Sequence, residues 1–199
     1  YGGWGVQALK AAKIAKLDVG GLDESLKRAV NGIKLNFSGS YDYGGFGYTG
    51  PGKTPLTGVG ALALQLLGQA NSDEVSGSIK YLKDVNPEEW DQVDWKDAYW
   101  WYYDIQAAFH HGGDVWKKWN KEFATLIANN QIVLEGIYED NKDIGYWSTQ
   151  GNVHGHIQDT TFLTLALEVY YRYLPTFQEL TPIDEIAKED PNEIKIDID

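Results

Sequence analysis

Thr57-Gly58-Val59-Gly60-Ala61-Leu62-Ala63-Leu64-Gln65 returns 103 residues later as Thr160-Thr161-Phe162-Leu163-Thr164-Leu165-Ala166-Leu167-Glu168. A second match pairs Gly5-Val6-Gln7-Ala8-Leu9 with Gly58-Val59-Gly60-Ala61-Leu62 at an offset of 53, and a weaker one sets Ala107 opposite Ala61. The offsets predict about four helical-hairpin units of about 50 residues each. Repeats of that length build a stacked or circular helical array, because one unit cannot bury its apolar face except on its neighbours.

Working outward from these stretches, apolar spacings of three and four predict helices over 5–17, 22–33, 56–69, 73–84, 95–111, 114–127 and 160–174. Gly20-Gly21, Pro87, Gly112-Gly113 and Pro175 punctuate them. Asp114 and Asp159 read as N-caps of the last two helices. The glycine- and proline-rich stretch 37–55 reads as a loop and 129–158 as irregular. Gly44–Gly47 is expected to resist bulky residues because turns there would need positive φ. Strand-like alternation is confined to Ile194–Ile198, inside an acidic tail at 182–199 that follows a repeat domain at 1–181.

With 29 acidic and 17 basic residues, the 199-residue chain has a formal net charge of −12. That argues against nucleic acid, whose phosphates need clustered Lys and Arg, and against anionic membrane surfaces. Absence of Cys removes disulfides, thiolate nucleophiles and thiolate zinc sites. Absence of Met suggests a processed protein or a part of a longer polypeptide, the rest of which would be its first partner. No apolar run reaches the length of a membrane span, and no signal-peptide pattern is present.

Two of the repeats are introduced by aromatic-glycine turns, Gly44-Gly45-Phe46-Gly47-Tyr48 and Gly145-Tyr146-Trp147-Ser148. A turn of this kind before a T-x-x-x-A-L-x-L-Q helix resembles the repeat of terpene cyclases and protein prenyltransferases, the family of squalene–hopene cyclases. Trp116-Lys117-Lys118-Trp119-Asn120 and the run Leu167–Pro175 resemble its uncharacterised bacterial branch. The resemblance covers roughly 1–177. It implies an all-α fold, an α/α toroid, here as a partial ring of about four hairpins.

Family chemistry carries over only in part. The cyclases protonate an alkene with the middle carboxyl of D-x-D-D-T-A. The matching stretch is His156-Ile157-Gln158-Asp159-Thr160-Thr161, in which Gln158 stands at the proton donor's position. The zinc site of prenyltransferases uses a Cys, which this chain lacks. Arg28 and Arg172 are its only arginines, a thin complement for a diphosphate.

The residues offer another constellation. His154, His156 and Asp159 stand at the mouth of the last helix, and His110-His111 end the aromatic helix at 95–111. If those helices are neighbours, His154, His156, Asp159 and His111 could hold Zn²⁺, or His156, Asp159 and His154 could perform acid–base work. Ordinary capping and surface roles compete with both. A polar stripe of Thr160, Thr164, Glu168 and Arg172, matched by Gln65 and Gln69, would line a central cavity or face solvent. Trp100 and Tyr103 of the aromatic run would join that lining or pack in the core, and some rings of 99–103 should face outward.

Two readings follow. In one, a non-catalytic repeat module, without a cofactor, binds a protein, peptide or glycan on its concave face. In the other, an enzyme with a remodelled toroid site acts on an isoprenoid or a carbohydrate.

Overall fold

The computed structural model describes residues 2–87, 89–151 and 155–171. Seven helices run through them: α1 Gly2–Ile14, α2 Leu22–Lys34, α3 Thr57–Leu66, α4 Asp73–Asp84, α5 Trp95–His111, α6 Gly113–Asn129 and α7 His156–Leu167. A 3-10 turn, Glu168–Tyr171, extends α7. Between them lie two antiparallel hairpins, β1 Phe37–Gly39 with β2 Gly44–Phe46, and β3 Ile132–Tyr138 with β4 Lys142–Tyr146. The protein is thus predominantly helical with two small sheets, which corrects the all-helical expectation.

Both hairpins fall in stretches expected to be irregular. β1 and β2 have three residues each and are too short and glycine-rich to alternate. Tertiary packing holds them: the Phe37 and Phe46 rings lie 5.3 Å apart, and all of β2 is buried. β3 carries apolar residues on both faces, and Gly136, at φ 61°, falls at the irregularity that breaks its register.

Side-chain caps start two of the helices. The Ser72 hydroxyl accepts from Val75 N–H at 3.4 Å and starts α4. At α5, Asp94 Oδ1 accepts from the N–H groups of Lys96 (2.6 Å) and Asp97 (3.3 Å). Asp94 N–H returns a bond to Asp97 Oδ2 at 2.7 Å, closing a capping box. Gly112, at φ 74°, ends α5 and begins α6, so Asp114 lies inside the first turn rather than at the cap. Asp159 is likewise inside the first turn of α7, whose N-cap is Gly155 at φ 76°. In both places a glycine with positive φ reverses the chain earlier than the acidic residue could.

Helices α1, α3, α5 and α7 contact one another in succession, with α2 behind α1 and α3, and α4 and α6 behind α3, α5 and α7. α3 is nearly all buried, and two glycines let it be. Gly58 lies against Asp104 of α5, and Gly60 lies under the Phe46 ring; neither site has room for a Cβ. α5 and α7 run in the same sense: Asp94 bridges to Gln150, which precedes α7, Tyr99 meets Phe162, and Ile105 lies by Ala166.

The aromatic residues fill the interior. Trp119 and Phe123 stack at 3.7 Å, and Trp101 meets Phe123 edge-on at 5.2 Å. Buried indole N–H groups are satisfied by carbonyls, Trp119 Nε1 by Leu82 at 3.0 Å and Trp147 Nε1 by Ile127 at 2.8 Å. Some rings of 99–103 were expected to face outward: Tyr99 and Trp100 are half-buried, and Trp101, Tyr102 and Tyr103 are buried, because α5 has neighbours on both sides.

Candidate functional site

The residues of the polar constellation take separate places. His156 opens α7, is exposed, and its ring lies 5.2 Å from that of Tyr146. Asp159 is fully buried one turn later. Its Oδ2 accepts from Thr149 N–H at 2.7 Å and Thr149 Oγ1–H at 2.9 Å, while Oδ1 has no partner. His111 is exposed at the far end of α5, where partial burial lowers its pKa below the ordinary imidazole value. Because α5 and α7 are parallel, the 17 residues of α5 separate His111 from the Asp159 end by about 24 Å along the axis. His111 therefore does not join His156 and Asp159. Among the described residues no three His, Asp or Glu side chains gather at metal-holding distance. His154 and Arg172 lie outside the described residues.

The polar stripe also divides. Thr160 Oγ1 accepts from Trp147 N–H at 3.2 Å, as Thr57 Oγ1 accepts from Phe46 N–H at 3.2 Å. Gln65 is buried; its Nε2–H donates to the Ala107 carbonyl at 3.1 Å, and its Oε1 has no partner. The Gln69 Nε2–H donates to the carbonyl of its neighbour Gly68 at 3.4 Å. Thr164 is half-buried in a shallow groove with Ile144, Tyr146 and Ile157, and Glu168 is exposed. Trp100 is half-buried on α5, whereas Tyr103 is buried in a ring cluster with Tyr99 (5.1 Å), Tyr102 (4.8 Å) and Trp4 (6.4 Å).

A cleft of about 160 Å³ opens beside this cluster, where the start of α1 meets the end of β2 and the first turns of α3. Gly2, Gly3, Gly47 and Gly60 contribute bare backbone to it, and Phe46, Tyr48 and Tyr99 contribute rings. Tyr48 is 77% exposed at its edge. Among the described residues none of the lining side chains is charged. A Cβ on Gly3 would stand 3.1 Å from Val59 Cγ1 and 3.4 Å from the Tyr103 hydroxyl. That hydroxyl is buried and has no hydrogen-bond partner. Burial, with the phenol of Tyr99 beside it, pushes its pKa far up, so the group stays a neutral donor.

Sequence reasoning passed over this cleft, although the Gly44–Tyr48 motif marks one wall of it. The other wall is the N-terminal turn of α1, whose two glycines carry no motif. Elsewhere, Asp104 is fully buried against Gly58, and burial raises its pKa well above the usual carboxylate range despite the Gly58 N–H bond. No described helix is long and apolar enough to cross a membrane. No protein-family model matches the chain, and neither does any curated protein or any solved structure.

Proposed function

We propose that the chain is a non-catalytic repeat module, an arc of an α/α toroid, that binds a neutral glycan in the cleft between α1, β2 and α3. The toroid reading draws support from the succession α1, α3, α5, α7 with the other helices behind it, and from the aromatic-to-threonine bond shared by both hairpin–helix junctions. The cleft carries the ligand assignment. Its described residues offer ring faces, bare glycine backbone and no charged side chain, a lining that suits a ligand with apolar ring faces and neutral hydroxyls. Asn36, Tyr48 and Tyr99 are the lining residues whose side chains carry polar groups for such a ligand.

The test is a titration with neutral oligosaccharides, and with neutral peptides as a second arm, followed by tyrosine fluorescence and by backbone amide shifts. Oligosaccharide should move the amides of Gly3, Gly47 and Gly60, and Tyr48→Ala should weaken binding about tenfold without lowering the melting temperature, one well-packed aromatic contact being worth that much. Binding of the peptide arm alone would replace the glycan with a peptide. Turnover of an added isoprenoid or glycan, abolished by His156→Ala, would replace the module with the enzyme.

A further inference from the structure

The hairpin of β3 and β4 leaves a strand edge open. Among the described residues β3 has β4 as its one strand neighbour, and all seven of its residues are exposed. Five of them are large and apolar: Ile132, Val133, Leu134, Ile137 and Tyr138, at 39–60% exposure. An unpaired edge with apolar residues on both faces is a template for another strand, and proteins that avoid such pairing place Lys, Pro or a covering element there. β3 has neither residue. Its single charge is Glu135, and the hairpin as a whole has Glu135, Glu139, Asp140 and Asp143 against Lys142 alone. Lys142 itself lies 3.9 Å from Asp140. The counterpart hairpin of β1 and β2 has a cover, because α4 lies across it so closely that Gly77 touches the Ser40 carbonyl.

We propose that β3 accepts, by strand addition, an extended segment of a partner protein that alternates apolar and basic residues. Main-chain hydrogen bonds to the open edge would supply the affinity, and a Lys or Arg opposite Glu135 would supply the selectivity. Charge decides the occupant. A second copy would bring acidic hairpin against acidic hairpin, on a chain whose net charge is already −12. A basic segment instead finds complementary charge around the whole strand. This surface is built from elements that do not line the cleft.

The probe is a labelled nine-residue peptide of alternating Val and Lys, read by fluorescence anisotropy, with amide hydrogen exchange to locate it. The expected result is binding that weakens with salt and protects amides within 132–138. The same peptide with Glu for Lys should bind up to about tenfold more weakly, because the attraction opposite Glu135 becomes a like-charge repulsion. Glu135→Lys should reduce that preference while leaving the melting curve unchanged. A peptide N-methylated along one edge should not bind. Equal binding of the methylated peptide, or protection confined to other segments, would overturn strand addition. Protection of 132–138 without peptide, together with a dimer in sedimentation, would make the partner a second copy and overturn the basic segment.

Discussion

The two hairpins hand the chain to a helix through the same bond, the N–H of an aromatic residue to a threonine hydroxyl, yet one hairpin is sealed and the other open. At the first, Phe46 lies over Gly60, the whole of β2 is buried, and α4 covers the strands. At the second, Trp147 is buried and ties its indole to Ile127, while β3 stays in solvent. The junction is thus a fixed structural unit, and what differs is whether a later helix lies over the hairpin. The first hairpin is packed into the interior, and the second leaves β3 exposed.

If the junctions are equivalent, their aromatic anchors should matter equally. Phe46→Ala and Trp147→Ala should each cost about 3–5 kcal/mol, the usual loss for a buried aromatic side chain. Denaturant unfolding measures both. A loss below about 1 kcal/mol at one of them would break the equivalence, since that is the scale of an ordinary surface change. The next largest effect should separate the hairpins. In Gly44→Ala the new methyl meets the Phe37 ring in the packed hairpin, for about 1–3 kcal/mol. In Gly145→Ala its three nearest neighbours are atoms at the end of the exposed Gln131 side chain, which can turn away, for about 0.5 kcal/mol or less. The two threonines should follow the same order. Thr57 is fully buried, so Thr57→Val leaves Phe46 N–H without an acceptor and should cost about 1–3 kcal/mol. Thr160 is half-buried, water can replace its hydroxyl, and Thr160→Val should cost about 1 kcal/mol.

These contrasts also mark how much the sequence reveals. The helices were legible because their apolar residues recur at three and four and their ends carry local signals, as with Ser72 before α4 and the span Trp95–His111 before Gly112. The strands were not, because β1 and β2 are held by Phe37, Phe46 and α4 rather than by any pattern within themselves. Gly44–Gly47 was read as intolerant for the wrong reason. None of its glycines has positive φ; the Phe37 ring, the Thr57 hydroxyl and the backbone of 50–52 exclude a side chain instead. At the candidate site the sequence pointed to the histidines, which number four and fall in two places in the chain. Parallel packing of α5 and α7 puts His111 and His156 at opposite ends, a matter of helix direction that residue spacing does not encode. The cleft joins residues 2 and 3 to 46–48, 60 and 99, and only packing brings them together.

The finest contrast lies between two buried carboxylates. Asp159 accepts two bonds from Thr149, whereas Asp104 has the Gly58 N–H on one side and an unpartnered Oδ1. Burial raises the Asp104 pKa in the folded protein above its unfolded value of about 3.9. Below that value both states hold the proton and Asp104 makes no pH-dependent contribution. As pH rises past it, the unfolded chain releases the proton and the folded chain keeps it, so stability falls until the folded pKa is passed and then levels off. Asp104→Asn removes the titration while retaining an oxygen for the Gly58 N–H. The variant and the wild type should differ by about 1 kcal/mol or less at pH 3, where both side chains are neutral. The variant should then gain steadily on the wild type toward pH 7 in denaturant unfolding. Parallel stability profiles for the two proteins across that range would mean that Asp104 titrates alike in both states, and that the tight Gly58 contact does not keep water from the carboxyl.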